Sequence, residues 1–155
     1  MKLERKDLVR ALSTHPVTVL NALADELTTE CEVKLTSLPQ AGLGLLTLAD
    51  SAFHEPYYLG EFPLSSCSVE LTFADGNQAI GGAQVMADNA ELARSLAILD
   101  AVFATRLQGC EQVERLFESG MQKRTEEESR RRKILAATRV DFSMLNSAEN
   151  DDDEN

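Results

Sequence analysis

The sequence is poor in the residues and patterns that mark catalysis or membrane insertion. Its 155 residues include no tryptophan and two histidines. No apolar run approaches the roughly 18 residues that a membrane-spanning helix requires. The start, MKLERKDLVRAL, lacks the apolar stretch of a signal peptide. We therefore expect a cytoplasmic protein with no membrane partner, long enough to bury a real core.

The three cysteines, Cys31, Cys67 and Cys110, are widely spaced and form no C-x-x-C pair. An odd number of isolated cysteines argues against a disulfide framework and against a structural zinc site. Cys67 lies in an alternating stretch typical of a strand. We predict buried, reduced thiols that pack in the core.

Motifs for nucleotide binding and hydrolysis are also missing. Gly42-Leu43-Gly44 lacks the third glycine of a dinucleotide fingerprint, and His54-Glu55 is followed by Pro56 and Tyr57, which cannot complete the helical H-E-x-x-H zinc pattern. The sequence also has no phosphate-binding P-loop and no G-x-S-x-G elbow. We predict no metal and no cofactor.

Two carboxylates, Glu61 and Asp100, are candidate general bases. Catalytic proton transfer needs a titratable group placed against its substrate and tuned by its neighbours. Neither residue has a second titratable group at a sequence spacing that would indicate a catalytic pair. We therefore interpret both as surface or strand-end carboxylates.

The charge distribution bears on possible partners. The formal net charge of -11 argues against binding to nucleic acid. Residues 149–155 form an acidic tail that we expect to be disordered. The basic run Arg130-Arg131-Arg132-Lys133 follows three glutamates and has no aromatic neighbours for base stacking, so it predicts a salt-bridged helix face or a contact for an acidic partner.

Hydrophobic periodicity predicts an α+β domain over residues 1–148. Two helices open it, over 5–12 and from Pro16 to Leu27. A period of two then predicts an antiparallel meander of four to five strands, flanked by the N-terminal and C-terminal helices. The expected strands are Cys31–Thr36, Leu43–Asp50 after a turn at Pro39–Gly42, Tyr57–Phe62, Ser65–Phe73, and Gln78–Met86 after a turn at Asp75–Asn77.

The stretch GGAQVMADNAELARSLAILDA, which starts at Gly81, contains the clearest helix boundary. Asp88 and Glu91 have the spacing of a capping box, and Gly109 is expected to end the helix. Paired glycines before a helix also suggest a phosphate site. A carboxylate at the cap repels an anion, so we favour a structural joint over a phosphate cradle. The last helical region is predicted from Glu111 to about Ala137.

Taken in order, several short motifs resemble the PhnG family, the G subunit of the bacterial carbon-phosphorus lyase core complex. The resemblance spans nearly the whole chain. The family usually has glycine where this chain has Ala87, and often an acidic residue where it has Ser66. The motifs are Tyr57-Tyr58-Leu59-Gly60-Glu61, Ser66-Cys67-Ser68-Val69, Val85-Met86-Ala87-Asp88 with Glu91, Leu99-Asp100-Ala101, and Ala137 to Met144.

The resemblance implies a role in phosphonate utilisation. Complexes of this family assemble G, H, I and J subunits, and an ATPase-like L subunit acts with them. They form a ribose 1-alkylphosphonate 5-triphosphate from ATP and a phosphonate, with nucleosidase chemistry attributed to the I subunit. The G subunit then looks like a noncatalytic structural or activating subunit of a transferase complex. The alternative is that it contributes phosphonate-binding or nucleotide-binding residues to a shared active site.

Two groups of residues follow from this interpretation. Gly60, Glu61, Cys67, Asp88 and Glu91 are candidates for a shared site or a structural motif. A partner interface against the I subunit is expected at the C-terminal segment, where an apolar cluster follows a charged helix. Its residues are Arg139, Val140, Asp141, Phe142 and Met144.

Overall fold

A computed structural model of the chain describes residues 3–138. A 3-10 turn, Arg5–Asp7, leads into α1, Leu8–Leu12, and α2, Val17–Leu27. Three strands follow: β1, Cys31–Ala49; β2, Pro56–Phe73; and β3, Gln78–Val85. The chain then continues in α3, Ala90–Thr105, and α4, Cys110–Ala137. The predicted helices and the α+β class are confirmed.

The chain divides into two compact units, Met1–Gln122 and Lys123–Asn155. The first contains the sheet, the first three helices and the start of α4. The described part of the second, residues 123–138, covers the rest of α4. The single domain over 1–148 and the acidic tail over 149–155 stay predictions, because both extend beyond the described residues.

The prediction of four to five strands is wrong. Residues 3–138 contain three antiparallel strands in the order β1-β2-β3, because each predicted pair before β3 is one long strand. The supposed turn at Pro39–Gly42 is absorbed by register shifts between Leu35 and Ser37 and between Ser37 and Gln40. Proline is tolerated there because β1 is an edge strand.

β2 continues through Pro63 because this proline also lies where a neighbouring strand is missing on one side. This residue pairs with Leu43 of β1, whereas pairing of β2 with β3 begins only at Ser65. The missing proline N–H therefore removes no hydrogen bond on the β3 side. Residues 42–49 of β1 and 56–64 of β2 therefore form a two-stranded ribbon.

The core of the first unit lies between one face of the sheet and the helices. Cys67, Val69 and Leu71 of β2 alternate with half-buried residues and point into it. Nearly the whole circumference of α3 is buried from Leu92 to Phe103, which is typical of a helix covered on several sides. The start of α4 adds Phe117, whose ring meets that of Phe103 edge to face at 5.5 Å.

No helix among residues 3–138 is long and apolar enough to cross a membrane.

Both predicted boundary residues of α3 are wrong. Its N-cap is Asn89, whose side-chain oxygen accepts a hydrogen bond from the Leu92 N–H at 2.9 Å, so Asp88 and Glu91 form no capping box. The helix ends at Thr105, after which Arg106 takes a left-handed conformation. Gly109 instead precedes α4 and accepts the Gln112 N–H through its carbonyl.

Gly81 of β3 allows the sheet to approach α3 closely. A Cβ atom at this position would collide with the Ala97 carbonyl oxygen and lie 2.5 Å from the Ala101 nitrogen, both backbone atoms. At Gly82, on the exposed side of the strand, the nearest atom would be the Ser68 hydroxyl at an ordinary 3.5 Å. The first of the paired glycines is therefore required for packing.

We predict that Gly81→Ala lowers the free energy of unfolding by about 1–3 kcal/mol, because the added methyl group must displace helix backbone. Gly82→Ala is the matched control and should be neutral or stabilise the protein by up to about 1 kcal/mol. Urea denaturation followed by circular dichroism measures both. Equal losses in the two variants would show that close packing at Gly81 is not the cause.

Candidate functional site

The predicted shared-site residues do not converge. Gly60 and Glu61 are exposed in the β1-β2 ribbon, Cys67 is buried in the sheet, and Asp88 and Glu91 are exposed at the start of α3. With a rise of about 3.3 Å per residue, Glu61 lies roughly 13 Å along β2 from Ser65, which binds the turn before α3. No single substrate group contacts all of these side chains.

Ser65 is the polar group that holds this turn. Its buried hydroxyl donates to the Ala87 carbonyl at 2.6 Å and accepts from the Asn89 N–H at 3.0 Å. Because Asn89 in turn caps α3, the start of the helix is tied to β2. The preference for a structural joint over a phosphate site is consistent with this arrangement, although the capping residue differs from the predicted one.

Asp100 is not the surface carboxylate that the sequence suggested. Its side chain is 7% exposed, and both carboxylate oxygens accept hydrogen bonds from Arg5, at 2.8 and 2.7 Å. The Gly82 N–H donates to the same group at 3.0 Å. The hydrogen bond to Asp100 raises the pKa of Arg5 above its ordinary value. This fully paired carboxylate joins the N-terminus, β3 and α3, so we interpret it as a structural anchor.

Two of the three thiols are buried in the core as predicted, and Cys31 is not. Cys67 and Cys110 are buried, Cys31 is half-buried, and all three are free. Burial raises the pKa of each thiol, which lowers its thiolate fraction and its nucleophilicity at neutral pH. Among residues 3–138, no three His, Cys, Asp or Glu side chains form a cluster able to hold a metal ion.

The two histidines have different environments. The His15 ring nitrogen Nε2 lies 2.8 Å from the Leu116 carbonyl oxygen, which links the end of α1 to α4. His54 is exposed in the loop between β1 and β2, as expected. Neither residue lies in a metal-binding cluster.

The ribbon, defined as residues 42–64, is the most unusual surface of the first unit. Most of its large apolar side chains are exposed, between 38% and 82%. The ring of Phe62 lies across Gly44, where a Cβ atom would be 2.5 Å from the ring. Sequence reasoning missed this surface because residues 43–50 and 57–62 were expected as separate strands of a meander flanked by helices. Its exposed residues are Leu43, Leu45, Leu46, Leu48, Phe53, Tyr57, Tyr58 and Leu59.

A single carboxylate organises the tip of the ribbon. Asp50 accepts hydrogen bonds from the N–H groups of Ala52 at 2.7 Å, Phe53 at 2.8 Å and Glu55 at 3.2 Å. These bonds, led by that from Phe53, hold the pKa of Asp50 below its ordinary value. His54 takes a positive φ of 57° in the same loop. The tip is therefore a hydrogen-bonded turn in which the Phe53 side chain is exposed to solvent.

The second unit carries the charged stretch predicted to form a salt-bridged helix face. Arg130 pairs with Glu127 at 2.5 Å, which lowers the pKa of that glutamate, and Glu128 pairs with Arg124 at 3.1 Å and with Arg132 at 3.8 Å. Arg130 and Arg132 thus form the predicted salt-bridged helix face, and a contact for an acidic partner stays a prediction. The predicted interface residues Arg139, Val140, Asp141, Phe142 and Met144 lie outside the described residues.

Comparison with known proteins supports one family. Residues 3–146 match the family model described as phosphonate metabolism protein PhnG. A relative from Rhizobium meliloti (strain 1021) is 28% identical over 142 residues, which cover 92% of this chain and 88% of the relative. That protein is named alpha-D-ribose 1-methylphosphonate 5-triphosphate synthase subunit PhnG.

We predict that Arg5→Gln destabilises the protein, because it removes both guanidinium hydrogen bonds from a buried carboxylate. With the half-exposed guanidinium partly screened by water, the expected loss is about 1–2 kcal/mol. Lys6→Gln is the control, since Lys6 pairs with Glu4 at the surface, and it should leave the melting temperature unchanged. Equal melting temperatures for the two variants would exclude the anchoring role of Arg5.

The lowered pKa of Asp50 predicts a pH dependence at the tip. Its hydrogen bonds stabilise the loop fully above the ordinary aspartate pKa, and this contribution is lost as pH falls through the lowered pKa of the folded state. The amide NMR signals of Ala52 and Phe53 should therefore titrate with a midpoint below 3.8. A midpoint at or above that value would contradict the hydrogen-bonded turn.

Proposed function

Because this chain belongs to the PhnG family of phosphonate metabolism proteins, we propose that it is a noncatalytic structural or activating subunit of a ribose 1-methylphosphonate 5-triphosphate synthase complex. In that role it supports formation of a ribose 1-alkylphosphonate 5-triphosphate from ATP and a phosphonate. The complex itself is the transferase. We propose the cytoplasm as its location.

This proposal is supported mainly by one observation: the candidate catalytic groups of the first unit are hydrogen-bonded within the fold or buried. Asp100 is bound by Arg5 and Gly82, Ser65 by the turn before α3, and the thiols are buried with raised pKa values. These groups hold the fold, whereas a general acid or base must be free to reach substrate. The large exposed feature is instead apolar, as is typical of a surface that binds another protein.

The proposed partners follow from the family resemblance. The I subunit is the direct partner, the H and J subunits share the assembly, and the L subunit acts with it. The C-terminal segment from Arg139 to Met144 is proposed as one contact with the I subunit. The relative's name supports a multi-subunit synthase in general terms.

A second candidate function is a direct contribution to a shared active site. Glu61 favours it, because this exposed carboxylate follows Gly60, whose φ is 150°. Asp88 is also exposed, at the start of α3. Either side chain is accessible to a substrate held by a neighbouring subunit.

Reconstitution separates these functions. The complex with the wild-type chain should convert ATP and methylphosphonate to the triphosphate product, measured by mass spectrometry, and omitting the chain should abolish turnover. Glu61→Gln and Asp88→Asn should still assemble, and the assembled complexes should turn over like wild type. A loss of about 10²- to 10⁴-fold with assembly intact would favour the shared site.

Gel filtration provides the corresponding test of assembly. The chain should elute together with the I subunit. A stable monomer that ignores the I subunit would contradict the subunit proposal, whatever the activity of the other components.

A further inference from the structure

Within the part of the chain that the structure describes, each strand of the ribbon pairs only with the other. From Gly42 to Leu64, β1 and β2 pair with each other, because pairing with β3 stops at Ser65. An isolated two-stranded ribbon is marginally stable in water. A surface that covers this segment would therefore stabilise it more than it would stabilise the rest of the sheet.

The apolar area on the ribbon is large for a free protein. Phe53, Tyr57 and Tyr58 are 82%, 47% and 67% exposed. With roughly 150–250 Å² for a whole aromatic side chain, these three alone expose about 300–500 Å². This area is a sum over both faces and the tip of the ribbon, and it is similar in size to the largest apolar patch of a typical monomer, about 300–600 Å², before the leucines are included.

Both faces of the ribbon are apolar. Successive side chains of a strand point to opposite faces, so the exposed neighbours Leu45 and Leu46 lie on different sides. Tyr57 and Tyr58 repeat this arrangement on β2. A sheet that covers a core on one side has polar residues on the other. The ribbon instead fits a cleft that contacts both of its faces.

The charge around this surface is of one sign. From Leu35 to Ala93 the sequence contains no lysine or arginine, and the charged ribbon residues are Asp50, Glu55 and Glu61. Acidic side chains repel nucleic acid and anionic lipid. A second copy would bring the same carboxylates together, in a chain whose net charge is -11.

We infer that the ribbon inserts into an apolar cleft of a different protein, whose rim carries lysine and arginine side chains facing these carboxylates. The inference rests on the proposed function, because it identifies the chemistry of the partner subunit's surface. The Asp50 turn holds Phe53 at the leading end of the ribbon before binding, which reduces the ordering that binding requires.

The apolar part of this inference is tested with a ribbon double variant, Leu45→Ser with Leu59→Ser. The matched control is Ile80→Ser with Met86→Ser, two residues that are at least as exposed but lie outside the ribbon. Circular dichroism checks that both fold. Affinity for the purified partner subunits proposed above is measured by surface plasmon resonance. The ribbon variant should bind at least about tenfold more weakly, and the control should bind like wild type.

The charge part is tested with Glu61→Lys, with Glu118→Lys as the control on an exposed position of α4. The ribbon variant should associate more slowly with the partner subunits, because a basic rim then meets a like charge. Its association rate should also depend less on salt concentration than that of wild type. The control should retain the wild-type association rate and salt dependence.

The outcomes separate this inference from the proposed function. If wild type binds the partner subunits and the ribbon variants bind equally well, the ribbon inference is overturned and the subunit role stands. If wild type does not bind at all, both are overturned. If sedimentation shows a dimer of the isolated chain that the ribbon double variant abolishes, the occupant is a second copy and the heterologous cleft is excluded.

Discussion

The close approach of β3 to α3 at Gly81 is the constraint on which the first unit depends. Without a side chain at this position, the backbone of Ala97 and Ala101 packs directly on the strand. This contact brings Asp100 within reach of the Gly82 N–H, and Arg5 closes over the same carboxylate. The N-terminus, sheet and central helix are thus fixed by one small-residue contact and one charged cluster.

This anchoring leaves the ribbon as the free part of the sheet. The helices cover the end of β2 that contains Cys67, Val69 and Leu71, whose side chains enter the core. Before Ser65, from Pro56 to Leu64, the same strand neither pairs with β3 nor has a buried face. The first unit therefore combines a packed core, in which the buried polar side chains have hydrogen-bond partners, with an exposed apolar ribbon.

The sequence was sufficient for the parts of the fold set by local periodicity. Hydrophobic periodicity from Pro16 to Leu27 predicted α2, and the alternation around Cys67 predicted the buried segment of β2. Strand continuity could not be predicted, because Pro39 and Pro63 resemble turn residues unless an edge strand or an unpaired side is known. The role of Asp100 was missed for a related reason, since its partner Arg5 is distant in sequence. Recognition of the family depended on the order of short motifs along the chain.

On the proposal made above, this chain acts by docking its ribbon onto another subunit. Hydrogen–deuterium exchange of the chain alone and in the assembled complex tests it most directly. Amides in residues 42–64 should exchange much more slowly after assembly. The exchange rates of α3 amides, which are already buried, should change little. Unchanged exchange along the ribbon in a complex that has assembled would contradict the account.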